Sequence, residues 1–283
     1  MSALDRIIKR DVPETLYHYT SPAGLYGIFT NKSVWATDLH YFNDSSEFFY
    51  AIGLTRRIMA NDGSFIEEPD FVKIINDYIS CIRSIHKFVF SLSECGDLLS
   101  QWRGYCPRDG GYAIGFDTCK LKQLLDQNNE FYLYPCEYDL NIQENLIRVI
   151  LHDTLKKYRQ QFLSAATPDT KMTWCYNEFG GQFEVFASAI KSPSWAEEKE
   201  WRLTSCSLPN THPDFRMRVG KHSLIPYLEL SLGKTPDQWP FSKVIVGPNS
   251  QPELAVDSAT SLITTNKISS WEIQCSKVPF RDC

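Results

Sequence analysis

Four short stretches carry side chains whose types and spacing could do chemistry. The first is His18-Tyr19-Thr20, inside LYHYTSPAGLYGIF (16–29). An imidazole can donate to or accept from a ribose hydroxyl, and an aromatic ring can stack on a flat base. Taken alone, the stretch also reads as a buried strand with one satisfied histidine. Alternation along the strand puts Tyr19 on the face opposite His18, toward the core. The second is Phe42-Asn43-Asp44 with Glu47. Asp44 and Glu47, three apart, form a capping-box pattern that helix initiation alone explains, whereas Asn43 is not needed by the cap. The third is Ser91-Leu92-Ser93 followed by Gln101-Trp102-Arg103-Gly104-Tyr105. Serine hydroxyls at a strand end can orient a ligand amide or ribose. Trp102 and Tyr105 could share one side of a helical turn, either on a ligand or in an aromatic core contact.

The fourth is the run from Trp195 to Leu203, WAEEKEWRL. As a strand over 199–204 it turns Trp201 and Leu203 inward and places Glu200, Arg202 and Thr204 on the other face. A carboxylate beside a guanidinium stays ionised. An ionised glutamate can stabilise the developing positive charge of an oxocarbenium-like transition state. The plainer reading is a surface ion pair contributing roughly 0–1 kcal/mol.

These residues need elements to hold them. Ser21 is a good N-cap and Pro22 suits the first helical position, with Asn31 able to close that helix. VWAT (34–37), KFVFSLSE (87–94) and GGYAIGF (110–116) read as strands, and 42–61 as a loop entering a helix. NDGS (61–64) breaks that helix. FVKIINDYISCI (71–82) reads as a second helix with Phe71, Ile74, Ile75, Tyr78 and Ile82 on one stripe, and 97–106 as a short helix and loop. Asn141 and Glu144 suggest a capping box before a stripe of Ile142, Leu146, Val149, Ile150, Leu155, Tyr158 and Phe162, and 166–171 reads as a loop. The last hundred residues read mainly as strands, with a helix at 252–263 and a closing strand at 271–278. The expected architecture is α+β: one domain over 1–283, a mixed or antiparallel sheet from both ends, and a helical insertion over roughly 119–180.

The 283 residues are 43% hydrophobic with a net charge of −5, so a large core is available and no general nucleic-acid footprint is present. The nine cysteines are scattered without metal-ligand or CxxC spacing. This favours a reduced, cytoplasmic protein without a metal. MSALDRIIKRD lacks the apolar core of a signal peptide, and no run is long enough to span a membrane. GxSxG, P-loop, GxGxxG-after-strand and HExxH motifs are missing.

In order and spacing, these blocks resemble the bacterial family labelled domain of unknown function 2971. The likeness rests on LYHYTSPAGLYGIFTNKSVWATDLHYFNDSSEF, on FSLSE and SQWRGYCPRDGGYAIGF, on Glu198-Lys199-Glu200-Trp201-Arg202, on the late VIVGP, and on Ser276, Pro279 and Arg281. Ser45 stands where that family usually has proline. More distantly, the chain is similar to NAD-dependent ADP-ribosyltransferases of the His-Tyr-Glu kind. That resemblance implies a split sheet of the transferase type and NAD as substrate. His18 would hold the adenosine-side ribose, Tyr105 (or Tyr112) would stack near nicotinamide, and Glu200 would stabilise the oxocarbenium ion. Asn43, Asp44, Ser91 and Trp102 would line the pocket, with Tyr19, Thr20, Glu47, Glu198 and Arg202 as further substrate contacts. Glu198 or Glu47 is the next candidate for the catalytic carboxylate. The implied partners are a macromolecular acceptor (protein or nucleic acid) and an antitoxin or defence-system component, in a toxin or phage-defence setting. Plain NAD hydrolysis and a non-catalytic nucleotide or nucleic-acid-end sensor are the alternatives.

Overall fold

The computed structural model describes residues 10–42, 46–81, 86–127, 130–162, 166–208, 211–212, 214–220, 222–268 and 271–279. Strand β1 (Thr15–Thr20) hands over directly to helix α1 (Pro22–Asn31). Ser21 Oγ accepts from Gly24 N–H at 3.1 Å and Pro22 opens the helix, as its residue types require. Gly24 has a steric reason: a Cβ there would lie 1.9 Å from Thr20 Oγ1. The helix ends on Lys32 in the left-handed region, one residue beyond the expected Asn31.

Next come β2 (Ser33–Asp38), α2 (Ser46–Asn61), a single helical turn (Gly63–Ile66), α3 (Pro69–Cys81), β3 (Phe88–Ser93), α4 (Leu99–Tyr105) and β4 (Tyr112–Asp117). The expected α3 stripe is buried at Phe71, Ile74, Ile75 and Tyr78, with Ile79 added, whereas Ile82 lies outside the described residues. The chain continues through α5 (Thr118–Gln127), β5 (Phe131–Pro135), α6 (Leu140–Gln161), α7 (Pro168–Cys175), a π-helical turn (Tyr176–Gly180), α8 (Gly181–Ala189) and β6 (Glu200–Ser205). It closes with β7 (Arg216–Val219), β8 (Leu224–Ser231), β9 (Phe241–Val246), α9 (Pro252–Thr265) and β10 (Glu272–Cys275).

Several local expectations are corrected. The insertion over 119–180 is not purely helical, because β5 interrupts it and pairs with β6 from Phe131↔Ser205 to Pro135↔Trp201. The cap of α6 is Asp139, which accepts from Asn141 N–H at 2.8 Å and Ile142 N–H at 3.1 Å; Asn141 is already inside the helix. Its buried face includes Ile147 and Leu151, and Ile142 is exposed. The stretch 166–171 begins α7 with Thr167 as N-cap and Pro168 next. Residues 181–189 are helix, with Phe183, Phe186 and Ala187 fully buried.

The ten strands form one sheet in the order β10-β9-β4-β1-β3-β2-β8-β7, with β6 and then β5 joined to β3. Only β9–β10 is parallel among these pairings. β6 pairs with β3 over Val89 to Ser93. A strand has two edges, so β1 and β2 share the other. β1 meets it at Tyr17↔Ser93 and β2 at Thr37↔Val89 and Asp38↔Phe88. The sheet therefore splits along β3.

One core packs β1, β2, β4, β8 and β9 around Phe88, Phe90, Leu92, Trp201 and Leu203, with α1, α5 and α9 adding Phe29, Leu121 and Ile263. A second core belongs to α2, α3, α6 and α8 and meets the sheet at Val89. A third, small cluster holds Tyr19, Trp102, Ala113 and Ile245. The α+β class follows from these layers.

Candidate active site in the split of the sheet

β6 alternates as its sequence demands. Trp201 and Leu203 enter the sheet core, while Glu200 and Arg202 lie on the opposite face, cross-strand from Ser93 and Ser91. The burial is deeper than a surface pair would have, with Arg202 1% and Glu200 6% exposed. Arg202 Nε donates to Glu200 Oε1 at 2.8 Å and Nη2 to Oε2 at 3.1 Å, and Nη1 donates to Ser188 O at 3.0 Å. Lys191, just after α8, donates to Glu200 Oε2 at 2.8 Å and also to Glu198 Oε2. Burial alone would raise the Glu200 pKa; the Arg202 and Lys191 charges outweigh it and pull it down to about 2. Lys199, at a φ of 42°, turns the chain from the 3₁₀ turn Pro193–Glu198 into β6, so both carboxylates reach the same ammonium.

Tyr105, the last residue of α4, donates its hydroxyl to Glu198 Oε1 at 3.0 Å and is 45% exposed as a residue. Burial of the hydroxyl pushes its pKa above the ordinary range. Tyr138 accepts from Glu200 N–H at 2.9 Å, fixing the start of β6 from behind.

His18 lies on the other face of β1, its ring stacked on Phe90 with centroids 4.2 Å apart. Nδ1 lies 3.0 Å from Ser91 O at the split. A carbonyl can only accept, so Nδ1 carries the proton. Burial lowers the pKa to about 4, so the ring is neutral at physiological pH and Nε2 is a bare acceptor.

His18, Tyr105, Glu198 and Glu200 all border one small cleft of about 50 Å³, together with Tyr17, Tyr19, Ser91, Leu92, Ser93 and Gln101. Tyr17 carries no signal in the sequence, whereas Ser93 and Gln101 belong to the third stretch without being assigned to the pocket there. Tyr17 and Ser93 are the one β1–β3 register pair, and Gln101 is on α4 beside Trp102.

Other expected contacts fall elsewhere. Trp102 does not line the cleft. Its indole is buried against Tyr19, donates to Asp97 Oδ1 at 2.8 Å, and thereby fixes α4. Asp97 is also bound by Ser276 Oγ at 2.5 Å, so the C-terminal serine motif supports the same helix. Thr20 is buried behind the cleft, where its carbonyl faces Cys106 Sγ at 3.5 Å. Tyr112 is buried in the sheet core with its hydroxyl 3.3 Å from Ala255 O, which leaves Tyr105 as the cleft tyrosine of the two. Tyr19 both borders the cleft and packs in the small core, its hydroxyl donating to Cys95 O at 2.7 Å. Arg202 reaches the cleft only through Glu200. Asn43 and Asp44 lie outside the described residues, as does the Glu47 side chain.

The fold and cleft define an α+β protein with a split, mostly antiparallel sheet and a buried carboxylate–ammonium–guanidinium cluster beside the split. Residues 101–203, from Gln101 on the cleft to Leu203 on β6, match the family model described as a protein of unknown function (DUF2971). The family resemblance is borne out over that stretch. No curated protein and no solved structure matches the chain. Among the described residues, no helix is long and apolar enough to cross a membrane.

Proposed function

We propose that the cleft binds NAD and that the protein transfers its ADP-ribose to a macromolecule. The observation that carries this reading is the meeting of a neutral histidine acceptor, an exposed tyrosine ring and an ionised, buried glutamate at one cleft. In the proposed reaction the bond between the ribose C1′ and the nicotinamide nitrogen breaks, and nicotinamide leaves with the electron pair. Glu200 stabilises the oxocarbenium ion, an acceptor O–H or N–H attacks C1′, and its proton passes to solvent. A carboxylate offers about four acceptor positions. Arg202 and Lys191 occupy three on Glu200, which leaves one for a ribose hydroxyl. The His18 Nε2 accepts from the other ribose, and the Tyr105 ring stacks near nicotinamide. The setting consistent with such chemistry is a toxin or phage-defence effector restrained by a partner.

The test mixes purified protein with adenylate-labelled NAD and cell lysate. Label transfer with nicotinamide release supports transfer, and release without transfer assigns plain hydrolysis. A second reading has its own observation: a glutamate so tightly held by two cations suits binding without turnover. Tight NAD binding by calorimetry with no nicotinamide released would favour that sensor role. Neither binding nor release would overturn both.

A further inference from the structure

Gln101 borders the cleft and is 6% exposed, yet its side-chain amide has no hydrogen-bond partner among the described residues. Buried amides are ordinarily satisfied. Gln143, fully buried on α6, is the ordinary case: Nε2 donates to Glu137 O at 2.6 Å and Lys191 O at 2.8 Å, and Oε1 accepts from the Tyr50 hydroxyl at 2.6 Å. The groups around Gln101 are also committed. Ser93 Oγ donates to Glu198 O at 2.7 Å and accepts from Cys95 N–H at 3.1 Å, and the Glu198 carboxylate is held by Tyr105 and Lys191. Gln101 therefore offers two N–H donors and one carbonyl acceptor to whatever enters the cleft. Its position is fixed from behind. Asp97 anchors the next residue, Trp102, and Gly247 packs so closely on that indole that a Cβ would lie 2.7 Å from it. Gln101 and Tyr105, four apart on α4, share one face.

We infer that Gln101 sets the specificity of the cleft by pairing, amide to amide, with the primary carboxamide of nicotinamide. This rests on the NAD reading, in which Glu200 works at the ribose carbon that bears nicotinamide, so the group nearest Glu200 and Tyr105 is that end of the dinucleotide. Gln101 Oε1 accepts from the carboxamide NH₂, and Nε2 donates to its carbonyl. Net charge does not select the ligand here, because Lys191 and Arg202 match Glu198 and Glu200. The pattern of donors and acceptors does. The space agrees with a small polar end: about 50 Å³ takes a group of roughly three to five water volumes. A carboxamide fits it, and the rest of the dinucleotide lies outside, at the mouth where Tyr105 is exposed.

The experiment measures calorimetric affinities of the full-length protein for NAD, for its acetylpyridine analogue (a methyl in place of the amide NH₂) and for free nicotinamide. Wild type should bind NAD about tenfold more tightly than the analogue. Gln101→Met, similar in shape, should weaken NAD about tenfold and bind the two dinucleotides alike. Without ligand it should melt at or above the wild-type temperature, because an unpaired buried amide has been removed. A clear drop in that temperature would give the amide a partner in the fold and overturn the inference. Equal wild-type affinity for NAD and the analogue overturns it without any variant. A preference that Gln101→Met retains also overturns it, and equal weakening of both dinucleotides would move the amide to the adenine edge; in these cases the NAD reading stands. Nicotinamide bound, and bound more weakly by Gln101→Met, with no dinucleotide bound would keep the carboxamide site and reject the NAD reading. Binding of none of the three overturns both.

Discussion

Replacing Lys191 by methionine keeps the volume of the side chain and removes the one cation shared by Glu198 and Glu200. In the wild type the Glu200 carboxyl is held at about 2 instead of its ordinary 4.5. That difference corresponds to on the order of 3 kcal/mol of stability at neutral pH, present above pH 4.5 and lost as pH falls toward 2. Without Lys191 only Arg202 opposes the burial of Glu200, and burial raises a carboxyl pKa. Breaking a buried ion pair from one side typically costs about 3–5 kcal/mol. Lys191→Met should therefore lose about 3 kcal/mol or more at pH 7. As pH falls toward 5, Glu200, buried with one cation fewer, takes up a proton in the folded variant before it does in the unfolded chain. Folding then binds a proton, so the deficit relative to wild type should narrow by about 1–2 kcal/mol between pH 7 and 5. Urea unfolding at pH 5, 6, 7 and 8, compared as variant minus wild type, measures this directly. A deficit that is the same at every pH would show that Lys191 matters only as packing, and the electrostatic account of the cluster would be wrong.

Three further outcomes follow from named contacts. His18 should show no imidazole titration by NMR above about pH 5, because the folded ring protonates only near 4; a midpoint near 6.5 would contradict its burial. For the same reason wild-type stability should rise from pH 4 to 6.5, where the unfolded chain holds the extra proton, and His18→Gln should flatten that slope. Trp102→Ala should cost about 3–5 kcal/mol in denaturant melts by opening a cavity and removing one hydrogen bond to Asp97, and a loss below about 1 kcal/mol would refute its supporting role. Tyr105→Phe should bind NAD within about tenfold of wild type because the ring remains, whereas Tyr105→Ala should bind more weakly in calorimetry, and equal affinities would remove the ring from the site.

Local physics made some parts legible from sequence alone. Ser21-Pro22 had to start a helix, because an oxygen acceptor and a residue without an N–H suit its first turn. The two-residue period of β6 separated Trp201 and Leu203 from Glu200 and Arg202, and the 3.6-residue period of α3 found its buried stripe. Each is a relation between near neighbours in the chain. The tertiary structure alone decided what each face meets. Nothing near β3 in sequence says that β1 and β2 must share one edge and open a cleft. Nothing marks Lys191 as the cation that joins Glu198 and Glu200, because it earns that place only when α8 ends against β6. The neighbours Gln101 and Trp102 carry opposite assignments, cleft and core, because Asp97 and Tyr19 capture the indole. Periodicity sets a side chain's direction relative to its own element, while the partner across the gap depends on register between segments as far apart as Ser91 and Arg202.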